Sequence, residues 1–195
     1  MEQEEYRRLA LLQLDAVYRL AYFLCNQAQE ADDVVQETYL QAFKASDQFT
    51  LGEHGLRPWL FKILHNVVAA RAIKEHRQPS TGGGDLDDRA GDVHLDTELP
   101  VTEVSKIDWE TVDERMKRAI ADLPLSYRSV FLLCAVEDLK YREIAEIVGL
   151  PIGTVMTQIY RARATLAVGL AGLAAEHGLP LQKKTHSKEI DPPGR

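Results

Sequence analysis

Apolar residues recur every three or four positions over the first part of the chain. Near the N-terminus this spacing is carried by Leu9, Leu12, Ala16, Leu20, Phe23 and Leu24. One face of an α-helix repeats with that period, whereas a half-buried strand would alternate apolar and polar residues. The pattern therefore predicts a helix with one buried stripe and no strand nearby.

A second helix is predicted over residues 30–44. Projected at 100° per residue, its apolar arc contains Ala31, Val34, Val35, Tyr39 and Ala42. The opposite arc is polar except for Leu40, which is surrounded by Asp33, Gln36 and Glu37. We call these four residues the docking face. Two interpretations stay open, an ordinary surface with one exposed leucine or the apolar centre of a protein interface.

A third helix is predicted from about Trp59, and it is locally basic. Leu60, Ile63, Leu64 and Val67 form its core stripe, and Lys62, His65, Asn66 and Ala69 lie on the other face. Residues 57–77 contain five Lys or Arg and one acid. Phe49 and Trp59 flank the preceding loop, and aromatics beside cations suit unstacked bases. The alternative is that both aromatics pack in the core.

The C-terminal half has the spacing of a helix-turn-helix. After Pro124, one helix is predicted from Ser126, a short one over Tyr141–Val148, and a third from about Pro151. The small residue Ala145 and the turn residue Gly149 are typical of this motif. The buried stripe of the third helix is predicted to contain Val155, Ile159, Ala162 and Leu166.

The opposite side of that third helix is suited to DNA. It contains Thr154, Met156, Thr157, Tyr160 and Arg161, with Arg163 at the flank for a phosphate. No acid occurs between Glu146 and Glu176, so nothing on this helix repels a phosphate backbone. The pattern predicts DNA binding, although helix-turn-helix shapes also occur in purely structural bundles.

Charge divides the 195 residues into three parts. The net charge of −7 consists of −2 in residues 1–77 (9 basic, 11 acidic), −7 in residues 78–110 (2 basic, 9 acidic) and +2 in residues 111–195 (12 basic, 10 acidic). The acidic middle contains Gly82–Gly84 and lacks helical periodicity, so it is predicted to be a flexible linker. We expect an all-α protein with domains at 1–77 and 111–172 and a disordered tail at 173–195.

Several functional classes are disfavoured by the composition. No stretch approaches the roughly 18 apolar residues of a membrane span, and three acids in residues 1–5 do not fit a secretory signal, so we expect a cytoplasmic protein without membrane insertion. His54, His65 and His76 are eleven residues apart, too far for joint ligation of one metal, and no phosphate-binding loop or nucleophile motif is present. We therefore expect no enzyme, no cofactor and no metal site.

Three segments resemble one family in the order that the family has them. DLPLSYRSVFLLCAVEDLKYREIAEIVGLPIGTVMTQIYRARATL resembles the promoter-reading C-terminal domain of extracytoplasmic-function (ECF) sigma factors. EADDVVQETYLQAF resembles the polymerase-docking helix of the same family, and WLFKILHNVVAARAIKEHR resembles its helix for the downstream promoter element. The resemblance covers about residues 9–77 and 111–168.

This resemblance implies a bacterial initiation factor that binds core RNA polymerase and promoter DNA and helps to open the duplex. The docking face would bind the polymerase. The −10 element would be bound by a set that we call the −10 set: Phe49, Trp59, Lys62, Asn66, Arg71 and Lys74. The −35 element would be bound in its major groove by the −35 set: Thr154, Met156, Thr157, Tyr160, Arg161 and Arg163. Whether an anti-sigma protein binds the chain, and whether the linker mimics nucleic acid or is a spacer, stays open.

Three residues depart from the family pattern. Lys140 stands where a serine or threonine helix cap is frequent, so the helix after it is expected to begin differently or to fray. Gln158 replaces a frequent arginine, which would weaken backbone anchoring, and Arg71 replaces a frequent acid, which would change the downstream preference. Two rival functions are a free-standing regulator with a response-regulator type DNA-binding domain and an enzyme, and a helical scaffold is the remaining alternative.

Overall fold

The computed structural model describes residues 3–25, 27–49, 55–77 and 112–177, and within these ranges the chain is helical without strands. The helices are α1 (Gln3–Leu11), α2 (Leu14–Cys25), α3 (Ala28–Lys44), α4 (Arg57–Arg77), α5 (Glu114–Ala121), α6 (Leu125–Ala135), α7 (Tyr141–Val148), α8 (Ile152–Gly169) and α9 (Ala171–Glu176). The predicted all-α class is confirmed. The predicted linker at 78–110 lies outside the described residues, as does the tail from residue 178 onward.

Helices α1–α4 form the first domain around a shared apolar core. The predicted stripe of α3 is buried as expected, and on α4 the side chains of Leu60, Leu64 and Val67 are buried while Ile63 is half-buried. The predicted stripe near the N-terminus is wrong at one point, because the helix breaks between Leu11 and Leu14 and Leu12 is 67% exposed. The break lets α1 turn so that Tyr6 and Ala10 are buried.

Two reciprocal phenol hydrogen bonds hold α1 in this turned position. The Tyr6 hydroxyl donates to the Ala42 carbonyl in the last turn of α3 at 3.0 Å, and the Tyr39 hydroxyl donates to the Ala10 carbonyl at 2.9 Å. Carbonyls in the last turn of a helix have no partner within their own helix, and the Tyr6 hydroxyl satisfies that of Ala42. The Ala10 carbonyl accepts from both the Tyr39 hydroxyl and the Gln13 N–H. Burial raises the pKa of Tyr39 to about 12, so the phenol stays protonated and able to donate.

Helices α5–α9 form the second domain, with α6 and α7 packed on α8. Gly149 turns the chain between α7 and α8 at φ 70°, a left-handed conformation that favours glycine. Helix α7 begins at Tyr141 although Lys140 is not a capping residue, because the Glu143 carboxylate accepts the Lys140 backbone N–H at 2.9 Å. The second domain extends beyond its predicted end at residue 172, because α9 continues to Glu176 and its Leu173 side chain is buried.

The two domains contact each other directly, which the sequence analysis did not predict. Helix α4 packs on α7, and α2 packs on α5 and α6. Glu137, between α6 and α7, has a fully buried side chain that pairs with Arg19 of α2 at 3.0 Å and with Arg57 of α4. We call these three residues the Glu137 clamp. Arg128 adds a second link by donating to the Leu24 carbonyl of the first domain at 2.9 Å.

None of the helices in the described ranges is long and apolar enough to span a bilayer.

We predict that Tyr6→Phe lowers the free energy of unfolding by about 1–2 kcal/mol, because the Ala42 carbonyl loses its donor while remaining buried. Urea denaturation followed by circular dichroism measures this change. Tyr22→Phe is the matched control, because the Tyr22 side chain is 37% exposed and its loss of a hydroxyl should change stability by less than about 0.5 kcal/mol. Equal effects of the two changes would contradict the role assigned to the Tyr6 hydroxyl.

Candidate functional site

The docking face has the geometry that the sequence predicts. Leu40 is 56% exposed, Asp33 and Gln36 are exposed, and Glu37 is half-buried. They lie on the side of α3 opposite its buried stripe, so the helix presents one apolar side chain to solvent within a polar surround. This arrangement allows Leu40 to enter an apolar pocket while the carboxylates around it meet cationic groups.

Arg71, a member of the −10 set, forms an ion pair with Glu37 of the docking face. Its Nη2 lies 2.8 Å and its Nε 3.2 Å from Oε2 of Glu37. The pair therefore connects α4 to the docking face on α3. Both side chains are partly exposed, so the pair contributes little to stability, but it fixes the direction of the Glu37 carboxylate. Arg71 was predicted to contact the −10 element, and in this structure its guanidinium is turned to the docking face instead.

Phe49 and Trp59 of the −10 set pack into an aromatic cluster with Tyr6. The ring centroids of Tyr6 and Phe49 lie 5.6 Å apart, and those of Phe49 and Trp59 lie 5.9 Å apart. Both residues are half-buried and pack against the core of the first domain. Of the two interpretations left open by the sequence, this arrangement favours core packing for the two rings.

The remaining members of the −10 set form an exposed stripe on α4. Lys62, Asn66 and Lys74 are spaced by four and eight residues, and all three are exposed. Two ammonium groups on either side of an amide suit phosphates beside a base edge. His65 was expected on this face, but it is half-buried, and desolvation by burial lowers its pKa, so the ring is neutral at pH 7.

Helix α8 buries the predicted stripe of Val155, Ile159, Ala162 and Leu166. All six residues of the −35 set are half-buried, so part of each remains accessible to solvent. Arg161 is positioned by a hydrogen bond from its Nη1 to the hydroxyl oxygen of Tyr127 on α6, at 3.1 Å. Its side chain is therefore directed by a neighbouring helix before any ligand binds.

The departure from the family pattern at Gln158 has a different structural consequence from the one expected. Gln158 does not extend toward solvent where an arginine could reach a phosphate. Its side chain is buried at 7% exposure, and its Oε1 has no hydrogen-bond partner among the described residues. The expected effect on backbone anchoring is therefore replaced by a packing role beside Val155 and Ala162, which lie three and four residues away on the helix.

The residues that connect the two domains were not predicted from the sequence. Glu137 directly follows the apolar run VFLLCAV just after α6, and an acid that adjoins a buried run was the available signal. Arg128 belongs to a quoted motif, yet no role was assigned to it. Burial lowers the pKa of Arg128, which donates both to Leu24 and, at 3.0 Å, to Leu123 of its own domain.

Two family models match the chain in separate segments. Sigma-70 region 2 matches residues 11–78, and sigma-70 region 4 matches residues 113–166. These segments correspond to the two helical domains described above.

Similar proteins and structures agree with these matches. The RNA polymerase sigma-H factor of Pseudomonas aeruginosa is 30% identical over 155 residues, which covers 77% of this chain and 78% of that protein. The ECF RNA polymerase sigma factor SigW of Bacillus subtilis is 27% identical over 88% of this chain and 92% of its own. The sigma factor RpoE of Bartonella quintana, solved with the anti-sigma factor NepR, has a TM-score of 0.65 at 26% identity, covering 86% of this chain and 98% of that one.

We predict that Gln158→Met raises the free energy of unfolding by about 1 kcal/mol, because it removes a buried oxygen without a partner and conserves volume. Chemical denaturation measures the change, and Gln29→Met, at an exposed position of α3, should change stability by less than about 0.5 kcal/mol. A loss of stability in Gln158→Met would show that the buried amide is satisfied and contradict this packing role.

Proposed function

Because this chain belongs to the sigma-70 family, in its ECF branch, it is a promoter-recognising sigma factor, and we propose that its two domains share this work. The first domain docks on core RNA polymerase and binds the −10 element, and the second binds the −35 element. The observation that carries this proposal is the exposure of Leu40 at 56% within a polar surround, on a helix whose other side is core.

Docking of the first domain would depend on Leu40 and on the carboxylates beside it. An apolar side chain that leaves water at the centre of an interface contributes more to association than the polar groups at the rim. Arg71 supports this surface rather than DNA, because its two hydrogen bonds to Oε2 of Glu37 orient the carboxylate toward a partner. We therefore move Arg71 from the −10 set to the docking face as a positioning residue.

The −10 element would be held by the exposed stripe on α4. Lys62 and Lys74 are placed to contact phosphates, and Asn66 lies between them, where its amide can meet the edge of an unstacked base. Phe49 and Trp59 would support α4 from the core side and not contact DNA directly. Phe49 packs against both Tyr6 and Trp59, and both residues are half-buried. Their contribution to opening the duplex is to support the helix that holds the separated strand.

The −35 element would be read by α8 lying in the major groove. The acid-free interval from Glu146 to Glu176 favours approach to phosphates, and Arg163 stands at the flank of the helix. Arg161 is the candidate for base readout, because a guanidinium can bind O6 and N7 of guanine together. In the protein without DNA, its Nη1 donates to the hydroxyl of Tyr127 on α6, which gives the side chain a defined position before it binds.

This function places the chain in the cytoplasm, where polymerase and chromosome are present, and assigns it no catalytic step. An anti-sigma protein is a further partner to be sought, since the similar sigma factor from Bartonella quintana was solved with one. A regulator of the response-regulator type would have a βαβ phosphoacceptor domain upstream, whereas residues 3–25, 27–49 and 55–77 contain helices without strands.

We predict that Leu40→Glu abolishes co-purification with core RNA polymerase while the circular dichroism and melting temperature stay unchanged. The substitution places a charge in the desolvated centre of the interface and should cost at least about 2 kcal/mol of association. Leu12→Glu is the matched control, because Leu12 lies in the same domain, is 67% exposed and is outside the docking face. Normal co-purification of folded Leu40→Glu would contradict the docking assignment.

We predict that Arg161→Ala weakens promoter binding of the polymerase complex by about 1–3 kcal/mol and relaxes preference at one base of the −35 element. Tyr127→Phe keeps the guanidinium and removes its hydrogen-bond partner, so its effect should be smaller and at the same base. Binding to a library of −35 variants measures both. A uniform loss over all sequences would identify a phosphate contact and contradict the readout role.

A further inference from the structure

We propose that Ile152, assisted by Met156, reads a thymine of the −35 element through an apolar contact with the methyl group of that base. The inference rests on the proposed function, since it assumes that α8 lies in the major groove. Ile152 is the first residue of α8 and is 48% exposed. A single exposed isoleucine is ordinary on a protein surface, so the assignment depends on where this one lies and what surrounds it.

Ile152 lies at the end of α8 that would enter the groove first. In a helix-turn-helix, the N-terminal residues of the second helix are the ones that contact base edges. Because the Cα–Cβ bonds of a helix tilt toward its N-terminus, a side chain at the first position projects ahead of the helix. Ile152 is therefore continuous with the −35 set on the same helix and closer to the helix end than any member of that set.

The residues near Ile152 form an apolar edge at the beginning of α8. Met156 follows one turn later on the same edge and is half-buried. Between them Gly153 is exposed, and a methyl group on its Cα would have no neighbour within 4 Å. The first turn of α8 therefore has an uncovered backbone at which a base pair can approach closely.

Polar side chains of the −35 set are placed differently from this apolar edge. The Thr157 hydroxyl donates to the Gly153 carbonyl at 2.9 Å, so its proton is used within the helix and not offered to a base. Thr154 and Arg161 are seven residues apart, which places both on the opposite edge of α8. The edge with Ile152 and Met156 can thus distinguish base pairs by apolar contact, while the edge with Arg161 can do so by hydrogen bonds.

The apolar group that the major groove offers is the C5 methyl of thymine. The other three bases present only hydrogen-bonding groups there, so an apolar side chain selects thymine. Ile152 and Arg161 are nine residues apart, or about 14 Å along the helix. At 3.4 Å per base pair, the thymine should lie within about four base pairs of the guanine that Arg161 is proposed to read.

The test measures binding of the full-length protein with core RNA polymerase to the promoter fragment that the library of −35 variants selects. Each thymine of its −35 element, on either strand, is replaced in turn by deoxyuracil, which removes the methyl group and keeps the base pair. We expect about a fourfold loss of affinity at one thymine, the effect of exposing one methyl group. Ile152→Ala should weaken binding to the unmodified fragment by about three- to tenfold. The two losses should not add, because each removes the same contact.

Val168→Ala is the matched control on the same helix. Val168 is 81% exposed near the C-terminal end of α8, so its truncation should leave the affinity and the effect of deoxyuracil unchanged. Both substitutions place alanine, the best helix former, at an exposed position, so the circular dichroism should stay unchanged in both variants.

Three results would overturn the proposal: no loss of affinity in folded Ile152→Ala, an equal loss on fragments with thymine and with deoxyuracil, or a selected −35 element without thymine. Arg161→Ala separates this failure from that of the proposed function. If Arg161→Ala relaxes the preference at one base, only the thymine contact is removed and α8 keeps its assignment to the −35 element. A complex that is indifferent to Arg161→Ala and to the −35 sequence would contradict the proposed function as well.

Discussion

The burial of one carboxylate, that of Glu137, governs how the two domains are placed. A carboxylate without solvent exposure has to be neutralised by partners, and its own domain supplies none of the guanidiniums that contact it. Arg19 of α2 and Arg57 of α4 neutralise it. In addition, the Arg128 guanidinium of the second domain donates a hydrogen bond to the Leu24 carbonyl of the first. These bonds cross the boundary at which α4 packs on α7 and α2 packs on α6, where buried apolar residues of both domains belong to one hydrophobic cluster.

The same constraint decides which surfaces are available for partners. Because the domain contact uses α2 and α4 of the first domain and α5, α6 and α7 of the second, the docking face on α3 lies outside it, and α8 packs mainly on helices of its own domain. The docking face and the −35 set thus lie on helices that take little part in the domain contact, whereas the −10 stripe lies on the exposed side of α4, which also packs on α7. Binding at one surface need not compete directly for the residues of another.

The sequence predicts local features well and long-range ones poorly, for a physical reason. The stripes of α3 and α8 repeat with the helical period, so their burial and the exposure of Leu40 could be predicted residue by residue. The position of α1 before the break at Leu12 involves the hydrogen bond from Tyr6 to the Ala42 carbonyl, 36 residues away in sequence, so no local pattern indicates it. The pairing of Arg71 with Glu37 and the burial of Gln158 likewise depend on neighbours that no local spacing identifies.

The most direct test of the account is transcription in vitro with purified core RNA polymerase, this protein and a library of promoter fragments. The account predicts start sites that depend on the protein and share two sequence elements at a fixed spacing, one for each domain. Transcripts identical to those of core polymerase alone would contradict it. So would tight, sequence-specific binding to a single element by the protein without polymerase, because that is the behaviour of an autonomous regulator.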